Sequence, residues 1–165
     1  MSSRTKKLIN HMGILLLFSI VAGFLAYFAG GFFGRSAIAG QDITLNAWKE
    51  SYRTLTIIVA VLTWGIANAW YWLAYSVFSI QKPLGVGKRF FWMACGGAVA
   101  GICVLIPIVY AFISRIFVLH VIIPVIYLLL FAGVVFWLGT ILATPDNYKY
   151  TPIGALALKG SKGGK

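Results

Sequence analysis

Four long apolar runs divide this chain. They extend from about Leu8 to Phe33, Leu55 to Ile80, Phe90 to Ile113 and Ile116 to Ala143, and none contains Lys, Arg, Asp or Glu. Each exceeds the roughly 20 residues needed to cross ~30 Å of hydrocarbon at 1.5 Å per residue. Inside a bilayer the backbone must satisfy its own N–H and C=O groups, which selects helix for each run. The pattern predicts an all-α integral membrane protein, with four transmembrane helices packed as one compact bundle over residues 1–150. Residues 151–165 read as a basic, Gly-rich cytoplasmic tail.

The connections add detail. Between the first two runs, Leu45, Trp48, Tyr52 and Leu55 repeat on one helical face, and Lys49, Glu50 and Arg53 fall elsewhere. This amphipathic pattern, with Trp and Tyr suited to headgroup depth, predicts a short interfacial helix in the first outer loop. The alternative is an outward extension of the second span. Gln81 to Arg89 holds one Pro and two Gly and reads as a tight turn with basic flanks. Ser114 and Arg115 alone separate the third and fourth runs, which predicts a close antiparallel hairpin. Pro145 and Pro152 end the fourth helix, and Ile153 to Leu158 is a short apolar stretch after it.

Charge sets the expected orientation. The chain carries 14 Lys and Arg against three acids, a formal net charge of +11. Ten of the basic residues (Arg4, Lys6, Lys7, Lys82, Lys88, Arg89, Lys149, Lys159, Lys162 and Lys165) fall on one side of the predicted topology. Arg35, Lys49, Arg53 and Arg115 fall on the other. The excess of Lys and Arg in cytoplasmic loops then places both termini and the Lys82–Arg89 loop in the cytoplasm. The expected location is a bacterial inner (cytoplasmic) membrane. The first run begins after basic residues and precedes Ala37-Ile38-Ala39, which has the form of a signal-peptide cleavage site. Its apolar core is much longer than the roughly 7–15 residues of a signal peptide, so it is read as a retained span. The bilayer explains the basic charge without nucleic acid as a partner.

Little catalytic chemistry remains. Asp42, Glu50 and Asp146 all lie in loops and are split between the two sides. An ion-coupled transporter would be expected to carry an acid or Arg within its spans. His11 and His120 lie near opposite membrane faces and are too far apart to share a metal or haem. Cys95 and Cys103, two turns apart in one helix, cannot bond to each other and read as small apolar residues. Gly85-Val86-Gly87-Lys88 shares only its ending with a phosphate-binding loop: the earlier Gly, the following Ser or Thr and the preceding strand are missing. No enzyme activity, cofactor or metal is expected.

Two groups of residues remain. Ala22, Ala26, Gly30 and Gly34 recur every four residues in the first span. Gly97 and Gly101 do so in the third, beside Ala94 and Ala98. Small residues at this spacing let helix backbones approach in lipid, either within the bundle or against another subunit. Trp64, Asn68, Tyr71 and Tyr75 share one face of the second span, flanked by Trp70 and Trp72. Asn68 is expected to make an interhelical hydrogen bond, with an aromatic-lined ligand pocket as the functional alternative. Pro107 and Pro124 predict kinks at similar depth in the third and fourth spans.

These readings favour a non-catalytic accessory or scaffold subunit of a multi-protein inner-membrane assembly, such as a secretion, conjugation or respiratory complex, or an immunity-type membrane protein. The alternative is a small carrier or oligomeric pore for a neutral hydrophobic or lipid-like substrate. The expected partners are the bilayer and other membrane proteins, or further copies of this chain.

Overall fold

A computed structural model describes residues 3–38, 44–76, 86–113, 122–143, 152–155 and 157. It contains α1 (Ser3–Ala37), α2 (Leu45–Ser76), α3 (Val86–Ile113) and α4 (Ile122–Ala143), and no strand among the described residues. Within them, Ile9–Gly30, Leu45–Leu73, Arg89–Ile113 and Ile122–Leu142 are long and apolar enough to cross a membrane. The protein is therefore all-helical, with the composition of a multi-pass membrane protein. Its outer surface agrees: Phe24, Phe28, Leu105 and Phe112 are each at least 60% exposed. Water would not tolerate so extensive an apolar face, whereas lipid is a suitable solvent for it.

The helices run up and down in alternation. Near one end His11 of α1 meets Tyr71 of α2, Trp70 of α2 meets Phe91 of α3, and Trp92 of α3 meets Thr140 of α4. Near the other end Gly30 meets Tyr52, Ser51 meets Tyr110, and Cys103 approaches Leu128. Helix α1 packs against α2 and α4, α3 packs against the same two helices, and α2 also touches α4 across the bundle. The core joins Leu15 of α1, Val59, Ala67 and Trp70 of α2, Val99 of α3 and Phe136 of α4.

Residues 45–53 do not form a separate interfacial helix. They are the first turns of a continuous α2, which no Gly or Pro interrupts there. Thr44 caps its start, with its Oγ1 accepting from the Ala47 N–H at 3.3 Å. The Trp48 and Tyr52 face that suggested a helix lying on the membrane is instead buried against α1. Pro124 is buried in α4, two residues after Ile122. Pro107 lies inside α3 and removes the bond to the carbonyl one turn earlier.

After α4 the segment at 152–157 packs back on the bundle. Trp137 Nε1 donates to the Ile153 carbonyl at 2.9 Å, and Pro152 and Ala155 are buried. Gly154 turns the chain at φ +88, a conformation that favours glycine. The turn at 81–85, Ser114-Arg115, His120, residues 144–151 and the tail at 158–165 lie outside the described residues.

Candidate functional site

The small residues of α1 lie along its seam with α2 and α4. Ala26 is buried, and Ala22 is half-buried beside a small cavity. Gly30 rests directly on the Tyr52 ring. A Cβ added at Gly34 would lie 2.8 Å from Leu45 and 3.1 Å from Trp48. The Trp48 and Tyr52 rings stack 5.3 Å apart with planes 9° from parallel, so they form one aromatic plate facing the two glycines. Close backbone approach over glycine is how helices gain packing energy where lipid supplies no hydrophobic drive.

The glycines of α3 differ. Nothing lies within 4 Å of a Cβ added at Gly97 or Gly101. Ala94, Gly97 and Ala98 are exposed, and Phe90, Leu105 and Phe112 continue the same open side of the helix.

The Trp64–Tyr75 face of α2 divides between two environments. Tyr71 is buried and its Oη lies 2.8 Å from His11 Nδ1, with the two rings 4.8 Å apart. Among the described residues Asn68 makes no interhelical bond. Its Nδ2 donates to the Trp64 carbonyl of its own helix at 2.8 Å. Asn68 Oδ1 and Trp64 Nε1 have no hydrogen-bond partner among the described residues. Trp64 borders an open groove between α1 and α2. Tyr75 belongs to α2, but its side chain lies outside the described residues.

That groove is apolar and adjoins a cationic cavity. The apolar groove, about 500 Å³, is lined from α1 by Leu16, Ile20 and Phe24 and from α2 by Ile57, Val61 and Trp64. Tyr27 and Phe28 also line it and border a second cavity of about 210 Å³, which Lys49 and Arg53 line. The Arg53 guanidinium carbon sits 4.4 Å above the centre of the Tyr27 ring. No carboxylate among the described residues pairs with Lys49 or Arg53. The sequence pattern marked these two cations only as interfacial charges. Their spacing of four residues was the available signal that they share a side of α2.

Hydroxyls embedded in the apolar runs form a further set. Ser19, Thr56 and Thr63 border a small cavity of about 20 Å³ among α1, α2 and α4. Thr56 donates to the Tyr52 carbonyl at 2.8 Å, whereas Ser19 Oγ and Thr63 Oγ1 have no partner among the described residues. Thr140 accepts from Trp92 Nε1 at 3.0 Å and donates to the Phe136 carbonyl at 2.6 Å, which ties α3 to α4. Cys95 and Cys103 are free thiols, half-buried and buried. Among the described residues no three of His, Cys, Asp and Glu gather as metal ligands would.

Comparison with protein-family models, with characterised proteins and with solved structures finds no match for this chain.

Proposed function

We propose that this chain is a non-catalytic accessory subunit of a multi-protein assembly in the inner (cytoplasmic) membrane, and that α3 is the helix it offers to its partner. Both termini and the Lys82–Arg89 loop lie in the cytoplasm, on the strength of the Lys and Arg distribution. The observation that carries the reading is the open glycine face of α3. In α1 the equivalent stripe meets an aromatic plate within the chain. In α3 a Cβ at Gly97 or Gly101 would meet none of the described residues, beside the exposed Ala94 and Ala98. Glycine directed at lipid contributes no packing and weakens a helix by about 1 kcal/mol relative to alanine, whereas against another helix it permits close contact.

The test is extraction from the native host in mild detergent, with a photo-crosslinking residue at Ala98 and a control at Val134 on exposed α4. The reading expects a particle larger than the lone chain and a discrete adduct to a different protein from Ala98 alone. A single-chain particle without an Ala98 adduct would refute it. Adducts only at twice the chain mass would favour the oligomeric alternative. A reporter fused at Lys165 that is active only outside the cytoplasm would refute the orientation. The alternative of a small carrier or pore for a neutral hydrophobic or lipid-like substrate has one observation in its favour, the open α1–α2 groove.

A further inference from the structure

We infer that the α1–α2 groove is a binding site for one anionic phospholipid of the surrounding bilayer, with an acyl chain along the apolar part and the phosphate held by Lys49 and Arg53. The inference stands apart from any partner of α3, since the two features occupy different helices.

Three observations fit together. The first is continuity. Tyr27 and Phe28 border both the apolar and the cationic cavities, so one amphiphile can occupy the two at once. The second is length. From Arg53 at the mouth to Trp64 at the deep end, α2 rises about 16 Å at 1.5 Å per residue. That is close to half of the ~30 Å hydrocarbon core, the depth of one leaflet. A groove of this length with cations at one end matches a lipid standing in its own leaflet. It does not match a small solute.

The third observation is charge. Lys49 and Arg53 lie one turn apart in the N-terminal third of α2. They have no carboxylate partner among the described residues. Two like charges at this spacing repel each other, and a phosphate between them reverses the sign of the interaction. Arg53 is held over the Tyr27 ring at 4.4 Å, at the junction of the two cavities. Stacking on the ring face leaves the guanidinium N–H edge to donate to phosphate oxygens, the geometry that makes arginine a phosphate ligand.

Boundary lipid around so basic a chain also favours anionic headgroups, so the test turns on one retained lipid per chain and on Lys49 and Arg53 in particular. The full chain is purified in mild detergent and titrated with phosphatidylglycerol or with phosphatidylcholine of the same acyl chains, and retained lipid is counted by native mass spectrometry. One phosphatidylglycerol per chain is expected, retained at least tenfold more strongly than phosphatidylcholine. Lys49→Gln with Arg53→Gln should reduce that preference to within about twofold. Ala60→Phe, which fills the apolar part from α2, should lower retention of both lipids while leaving the charges in place. If the double variant does not fold, Arg53→Gln alone serves instead and should reduce the preference, and raising the salt concentration on the unmodified protein should erode it. Equal retention of the two lipids, or an undiminished preference in the double variant or at high salt, would overturn the assignment.

Discussion

Replacing Gly30 by alanine places a methyl group where α1 meets the ring of Tyr52. The added Cβ would overlap Cδ1 and Cε1 and would lie 3.1 Å from Cγ. These atoms belong to the body of the ring, so no small rotation of a side-chain tip relieves the clash. Tyr52 is 3% exposed and stacked on Trp48, which leaves it little room to move. Overpacking of this kind costs about 1–3 kcal/mol. The gain in helix propensity returns at most about 1 kcal/mol. We expect a net loss of about 1–2 kcal/mol for Gly30→Ala. Gly97→Ala meets no atom within 4 Å and should be neutral or slightly stabilising in the isolated chain. The assay is reversible unfolding in mixed detergent, followed by tryptophan fluorescence, for both single variants. It is repeated for Gly30→Ala in a Tyr52→Ala background, where the ring is gone and the methyl group fits. A coupling of about 1 kcal/mol or more between positions 30 and 52 is expected for residues in direct contact. Equal stability of the Gly30 and Gly97 variants, or an unchanged Gly30 penalty without the ring, would refute the close-approach account of the seam.

The buried hydroxyls should respond in opposite ways. Thr140→Val removes the acceptor of the Trp92 indole N–H and should cost about 1–3 kcal/mol by the same unfolding assay. Thr63→Val keeps the shape and removes a buried hydroxyl without a described partner, so stability should hold or rise. A stable Thr140 variant, or a marked loss at Thr63, would show that these polar contacts are misassigned. Tyr71→Phe removes the contact with His11 and should cost about 0.5–1.5 kcal/mol. The same substitution should cost much less in a His11→Phe background, and an equal cost in both would refute the pairing.

The spans were legible because hydrophobic run length is a one-dimensional property. The lower ends of α1 and α2 nevertheless ran past their apolar cores. Leu45 to Arg53 looked amphipathic enough for a surface helix, but its apolar face matched the glycines of α1. No periodicity within one segment reveals which neighbour will cover it. The same limit applies to the two glycine stripes. Their spacing is alike, and only their surroundings distinguish a filled seam from an open face. Asn68 was misread for a related reason: a mid-membrane amide needs a partner, and the carbonyl one turn back on its own helix lies as near as any other helix.

The amino-acid sequence determined the helical class, the four segments able to cross a bilayer and the uneven distribution of basic charge, because each depends on composition along a line. Tertiary structure alone decided that Gly30 meets Tyr52, that His11 meets Tyr71, and that the cavity lined by Lys49 and Arg53 adjoins an apolar groove. Those are contacts between residues distant in the chain. They arise from how four helices rotate about their own axes to bury their few polar groups, and no single helix contains that information.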